Sequence, residues 1–355
     1  MKILLWLFGI IVVSLLAFVI YALACSRIDP VVWEPGPNPG LTGVFASNEA
    51  LGDATMMLRG IGVGPEDIAL GADGWMYTSY RDGRIVRFNT EGQHDEFVNT
   101  GGYPLGMRID GDNNLIVADA EKGLLSISQD GAIDILANSV NGKPMKFVDA
   151  VDIAEDGTIW FTDASMRFSH HDSIVHVYLD GRSTGRLLSY SRATGEVTVR
   201  LDGLAFSNGV AVAPGDEYVL VNETFGSRTR RLWLQGAKAG KSDFFVEGLP
   251  GAPDNISVDE DGTYWVAIAG IRDPKFEKLA DKPFIRKLIS VLPTSILEPP
   301  GTHAFILGLD GDGNVIHNLQ DPQSDFRTTT SAIRNGDVLY IGSLGTDAVG
   351  VLKLH

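Results

Sequence analysis

Six times along the chain the same short phrase returns: an alternating apolar stretch, a turn of Gly, Asp or Asn, and a second apolar stretch that usually carries an aromatic residue. The copies are Ile68–Leu70 with Trp75–Tyr77, Met107–Ile109 with Leu115–Val117, Val151–Ile153 with Ile159–Phe161, Val210–Val212 with Tyr218–Leu220, Ile256–Val258 with Tyr264–Val266, and Ala332-Ile333 with Val338–Tyr340. Period-two alternation fits buried strands, and turns such as Asp73-Gly74 and Asp156-Gly157 tolerate the positive φ that closes a hairpin. A third strand commonly follows, as in Arg84–Phe88, Gly123–Ile127 and Arg186–Tyr190. One such sheet cannot bury both faces or protect its edges, whereas copies stacked round an axis do both. Repeats spaced by roughly 40–75 residues therefore predict an all-β, six-bladed β-propeller over residues 51–355, its ring closed by pairing of the first and last strands. A β-sandwich accommodates each hairpin but does not demand six copies.

What precedes the repeat is of another kind. Between Ile3 and Ser26 there is no charge, and as a helix about 23 residues at 1.5 Å each span roughly 34 Å, enough for the hydrocarbon core of a bilayer. Residues 1–27 are expected to be a transmembrane anchor and 28–50, with Pro35-Gly36-Pro37-Asn38-Pro39-Gly40, a linker. Lys2 at the basic flank predicts a cytoplasmic N-terminus and a propeller on the extracytoplasmic side, whether periplasmic, lumenal or extracellular. A cleaved signal peptide ending at Ala22-Leu23-Ala24, or a lipid on Cys25, are the other readings; the length of the apolar run favours the anchor. The sequence holds 29 basic and 45 acidic residues, a formal charge of −16, which argues against a nucleic-acid partner. Its single cysteine excludes an internal disulfide and a cysteine-built zinc site.

Residues 271–300 interrupt the repeat. Here Lys275, Lys278, Lys282, Arg286 and Lys287 alternate with Phe276, Leu279, Phe284, Ile285 and Leu288, so Lys275–Leu292 reads as an amphipathic helix in spite of Pro283. A lid or flap on the membrane surface and an insertion packed against the propeller side are equally compatible with it.

Laying the copies over one another brings out a second register. Seven positions before the turn residue stand Glu66, Asp149, Asn208 and Asp254, the last followed by Asn255. Since the first strand of a blade lines the channel, four blades aim an oxygen-bearing side chain at one channel mouth. Crowded carboxylates repel unless a cation neutralises them, and a set with neither His nor Cys suits a hard ion such as Ca²⁺. Each residue alone would be read as a turn cap. Blade two departs from the pattern with Leu105, and the last blade offers Thr329-Thr330.

The sequence resembles the strictosidine synthase-like family in Gly64-Pro65-Glu66-Asp67, Pro104-Leu105-Gly106, Phe161-Thr162-Asp163, Gly185–Leu188, Ser207–Val210, Lys238-Ala239-Gly240, Leu249–Asn255, Arg286-Lys287 and Leu339–Leu344. More distantly the site is similar to that of paraoxonases and gluconolactonases, six-bladed calcium-dependent hydrolases. That resemblance implies a catalytic calcium held by Glu66, Asn208, Asp254 and Asn255, with Asp149 where those families carry a further asparagine. A second, structural calcium would use Asp67, but its other carboxylate position is Ala150. The glutamate of strictosidine synthase aligns near Thr330, which disfavours the amine–aldehyde condensation of that enzyme. The histidine base of paraoxonases falls on Leu105, so another base is required.

The expectation is a membrane-anchored, calcium-dependent hydrolase of lactones or aryl esters, with Asp254 or His303 as general base. His303 is considered because it opens Ala304–Leu307, read as channel-lining. His170 and His171 lie in a long loop that borders the entrance, and His94 and His176 read as surface residues. The alternative is a non-catalytic, metal-stabilised propeller that binds a protein, glycan or lipid. Asn222-Glu223-Thr224 also matches an N-glycosylation acceptor.

Overall fold

The computed structural model describes residues 2–297 and 303–354. The six copies are six four-stranded antiparallel sheets, and in the first five the strands follow chain order from the innermost outwards. These blades run over residues 68–99, 104–137, 148–204, 207–246 and 251–321. The sixth takes its three inner strands from Thr329–Asn335, Val338–Ser343 and Val349–Lys353, and its outermost strand from Thr55–Met57 near the start of the propeller. Thr55 pairs with Val351 and Met57 with Val349. The ring is thus fastened by a segment from the other end of the chain, as the repeat predicts.

Six apolar clusters lie between successive sheets among the described residues. Ile85 packs with Met107, Ile116 with Phe161, Leu187 with Val210, Leu220 with Phe305, Trp265 with Leu339, and Ile68 with Tyr340. Each sheet therefore buries both faces against its two neighbours, the burial that one blade cannot reach alone.

A second compact unit gathers residues 2–35, 171–182 and 273–297. It contains α1 (Lys2–Cys25), α2 (Ile174–Asp180), α3 (Pro274–Glu277), α4 (Pro283–Ile289) and α5 (Thr294–Leu297). Helix α1 is long and apolar enough to cross a membrane. Ser173 caps α2 by accepting from Val175 N, and Gly181 ends it at φ 68°. The single helix expected over Lys275–Leu292 is instead two short ones, because Pro283 cannot donate a backbone hydrogen bond and starts α4 in place of extending α3. Arg286 is the centre of this unit. It is 2% exposed and donates to Leu179 O at 2.7 Å, Ala280 O at 3.1 Å and Val31 O, so one guanidinium joins three chain segments. The expected insertion 271–300 thus groups with the N-terminal helix; its last residues, 298–300, and the terminal His355 lie outside the described residues.

Candidate metal centre

The innermost strands are not regular. Their pairing shifts between Pro104 and Met107, Val148 and Val151, Ser207 and Val210, and Pro253 and Ile256. A bulge bends the strand and re-aims a side chain, and these bulges contain Leu105, Asp149, Asn208, and Asp254 with Asn255. Glu66 stands two residues before its strand and is tied by its N–H to Ser79 O at 3.2 Å. In blades two to five the in-phase positions are therefore the points at which the inner strand leaves the ladder, and in blade one the position lies just before the strand.

Close approach of neighbouring blades tightens the ring. A Cβ on Gly209 would lie 2.5 Å from Ile256 N and 2.6 Å from Asp254 O, so only glycine next to Asn208 lets that strand reach the Asp254-Asn255 bulge. Gly342 does the same against Glu66 O, where a Cβ would come within 2.2 Å. Blade six supplies no candidate ligand but holds one in place: Thr330 Oγ1 donates to Glu66 O at 2.7 Å and Ser331 Oγ to the same atom at 2.9 Å.

All five side chains are buried: Glu66 2%, Asp149 3%, Asn208 5%, Asp254 7% and Asn255 4% exposed. Asn255 Nδ2 donates to Glu66 Oε1 at 2.6 Å, and the Asn208 amide donates to Asp254. Glu66 Oε2 and Asn208 Oδ1 are buried with no hydrogen-bond partner. Burial raises the Glu66 carboxyl well above its ordinary value, and the charges of Asp67, Asp254 and Asp149 raise it further. Burial likewise raises Asp149, with Asp254 and Asp163 adding to it. Burial pushes Asp254 up to about 8, against the Asn208 hydrogen bond and with the charge of Asp67. Three buried carboxyl groups thus lie within electrostatic reach of one another, and two oxygens among these residues have no partner. Either protons or a cation must balance such a site, and its all-oxygen donor set fits a calcium ion.

A further set of residues escaped the sequence reading. An acid closes the second strand of three blades and pins the loop that leads into the inner strand. Asp119 Oδ1 accepts from Tyr103 N at 3.0 Å, Asp163 Oδ1 from Phe147 N at 3.0 Å, and Glu223 Oε2 from Ala205 N at 2.9 Å. The phase of Asp119, Asp163 and Glu223 after each aromatic or apolar strand was the available signal. Asn222, read as a glycosylation acceptor, is 0% exposed and donates from Nδ2 to Asp254 O at 2.7 Å. It is a support of the site, and its amide is closed to a glycan.

Asp67 has a resident cation. Arg108 Nη1 lies 3.0 Å from Asp67 Oδ2 and Arg108 Nε 3.4 Å from Asp152 Oδ1, so a guanidinium from blade two links carboxylates of blades one and three. Tyr103, just before the inner strand of blade two, also belongs to the neighbourhood. Burial pushes its hydroxyl up to about 12, with Arg81 opposing and Glu66, Asp149 and Asp254 contributing. Its ring stacks on His170 at 4.9 Å, and His170 Nε2 is 2.9 Å from Glu121 Oε1.

His303 is placed elsewhere. Ala304–Leu309 is the third strand of blade five, not the channel-lining one, and His303 Nε2 meets Gln320 Oε1 of the fourth strand at 2.8 Å. The insertion after Ile271 separates second and third strands, which made Ala304 look like the start of a blade. Leu105 is buried, 3% exposed, where the resemblance would put a base. His94 and His171 are exposed, and His176 is half-buried with Nε2 2.9 Å from Ser290 O.

Comparison with known proteins agrees with this architecture. Residues 149–237 match the strictosidine synthase family model, and residues 43–88 match the strictosidine synthase-like N-terminal model. The chain is 34% identical to the adipocyte plasma membrane-associated protein of Rattus norvegicus, over 93% of this chain and 94% of that one. It is 37% identical to strictosidine synthase-like 6 of Arabidopsis thaliana over 80% and 78% of the two chains. Among solved structures, a gluconolactonase from Xanthomonas campestris superposes with a TM-score of 0.63 at 18% identity, covering 93% of this chain and 100% of that one. Regucalcin from Agrobacterium tumefaciens, a calcium-binding protein, gives 0.58 at 15%, covering 91% and 96%. At such identities the structural likeness establishes the fold alone.

Proposed function

We infer the function from the family to which the chain belongs, that of the strictosidine synthase-like propellers, and propose a calcium-dependent hydrolase of lactones or aryl esters anchored to a membrane by α1. The observation that carries this reading is the pair of buried, partnerless oxygens, Glu66 Oε2 and Asn208 Oδ1, on residues that both interact with Asp254. Two fold neighbours whose own descriptions are gluconolactonase and calcium-binding protein support it.

Glu66, Asp149, Asn208, Asp254 and Asn255 would hold the ion. Bound there, calcium would polarise a carbonyl and offset the charge that grows on its oxygen during attack by water. The chain itself must bind and orient the ester and accept the proton of the water. Asp254 is assigned the second task as a buried carboxylate within the proposed donor set. Thr330 already uses its hydroxyl on Glu66 O, and no carboxylate stands there for amine–aldehyde condensation.

The buried Leu105 favours the second reading, a metal-stabilised propeller without catalysis. Hydrolysis of phenyl acetate and of small lactones by the full chain, with EDTA and with calcium restored, separates the two. Loss on chelation, recovery with calcium and loss in Glu66→Gln are expected. Turnover indifferent to both treatments would overturn the calcium role, and calcium binding without turnover of any ester would leave the scaffold.

A further inference from the structure

We propose that α4, α5 and the segments packed with them form a collar that lies on an anionic lipid surface beside the point where α1 leaves the bilayer. The proposal rests on reading α1 as a membrane anchor. At 1.5 Å per residue the 24 residues of α1 span about 36 Å, against a hydrocarbon core of about 30 Å. Its C-terminal end must therefore reach the headgroups. Ser26 continues that end, with its N–H on Ala22 O at 3.0 Å, and its Oγ lies 2.8 Å from Ser290 Oγ. Ala22 is fully buried within this unit. Ser290 directly follows α4, so α4 is fixed at the level where the chain leaves the membrane.

From Ser290, Phe284 is six residues back, about 9 Å of helix whichever way the axis points. The interfacial zone on each side of a bilayer is about 5–8 Å deep. Phe284 and Ile285 thus cannot stand far from lipid once α1 is inserted. Both are exposed, at 52% and 39%, as are Ile296 of α5 at 69% and Val32, six residues beyond Ser26, at 62%. Exposed apolar side chains of this size bury favourably among headgroups and upper acyl chains where they come within reach of a bilayer.

The lipid is selected by one basic segment of the collar. Residues 273–297 hold five basic residues and three acidic ones (Asp273, Glu277 and Asp281), a balance of 5 − 3 = +2, whereas the segments packed with them, 26–35 (Arg27, Asp29, Glu34) and 171–182 (Asp172, Asp180, Arg182), carry −1 each, so the positive charge is confined to 273–297. No acid occurs between Lys282 and Leu297. Arg286 is turned inwards to carbonyls of its own unit and Lys282 Nζ lies 3.2 Å from Asp281 Oδ1, which leaves Lys275 and Lys278 exposed and Lys287 half-buried as the cations of the collar. Lysines at this depth keep their stems along apolar surface and their ammonium groups at the phosphates.

Depth measurement by spin labelling tests the proposal on the full chain in vesicles. In a Cys25→Ser background, nitroxides are placed singly at Leu15→Cys, Phe284→Cys, Ile296→Cys and, as an aqueous reference, Asp202→Cys, and their accessibility to oxygen is compared with that to a nickel chelate. With acidic phospholipid present, the labels at 284 and 296 are expected to be oxygen-dominated like that at 15, and that at 202 nickel-dominated. Lys278→Glu, Lys282→Glu and Lys287→Glu together should shift the label at 284 towards water. Nickel-dominated labels at 284 and 296 with an immersed label at 15 would overturn the collar and leave the anchor standing. A nickel-dominated label at 15 would overturn the anchor itself. Labels at 284 and 296 shielded from both reagents would overturn the lipid in favour of a protein cover, and immersion unchanged by the lysine reversals or in zwitterionic vesicles would overturn the anionic selection.

Discussion

Asp254 concentrates the physics of the site, because its carboxyl is drawn upwards by burial to about 8 while its ordinary value is 3.8. Between those values the folded chain holds a proton that the unfolded chain has released. Without a cation, the contribution of Asp254 to stability is then fully present below about 4 and is lost as the pH rises towards about 8. Glu66 and Asp149, raised by the same cause, act in the same direction. Melting in EDTA should therefore occur at a lower temperature at pH 8 than at pH 5. Calcium, which competes with those protons, should raise the melting temperature more at pH 8 than at pH 5, and equal shifts at both would refute the coupling. The supports of the ligands matter as well. Asn222→Ala removes the amide that holds Asp254 O and leaves Thr229 Oγ1 without its acceptor. We expect calcium affinity to fall by about 10–100-fold, as for other outer partners of metal ligands, in calorimetric titration.

At the level of strands and turns, the period of the hairpins was readable because period-two alternation and turn chemistry are local properties. The register of Glu66, Asp149, Asn208 and Asp254 stood out for a related reason: each lies at the same distance from its turn, the last three in bulges of the inner strand and Glu66 just before its strand. What local pattern could not supply was the rank of a strand within its sheet, and His303 was misplaced on that account. Nor could it show that Arg108 meets Asp67 and Asp152 across three blades, or that Asn222 faces inwards, since both depend on neighbours far apart in the chain. The same long-range packing decides the effect of Gly209→Ala. Its new methyl would meet backbone of the next blade, which cannot swing away as a side chain can. A loss of about 1–3 kcal/mol in stability is expected from denaturant titration. Calcium affinity should fall with it, because Asn208 is adjacent.

Considered whole, the propeller is a ring fastened twice. Covalently distant ends are joined where Thr55–Met57 completes the sixth blade, and Met56 and Met57 reach the clusters on its two sides. Introducing carboxylates with Met56→Asp and Met57→Asp should cost about 2–4 kcal/mol of stability and expose the 36–60 region to protease, since half-buried apolar contacts would be replaced by desolvated charge. The second fastening is the proposed ion, whose ligands come from blades one, three, four and five. A ligand that binds only the closed ring adds RT ln(1 + [L]/Kd) to its stability, about 2.7 kcal/mol at a hundredfold excess over Kd. For a domain of this size that corresponds to a rise of roughly 4 °C in melting temperature. Because four blades share the ion, the rise should appear in a single transition of the entire ring, followed by scanning calorimetry with and without calcium. Glu66→Gln and Asp149→Asn should melt higher than the unmodified chain in EDTA, having lost a buried carboxylate, yet gain little from calcium. A calcium shift preserved in both variants would place the ion elsewhere in the molecule.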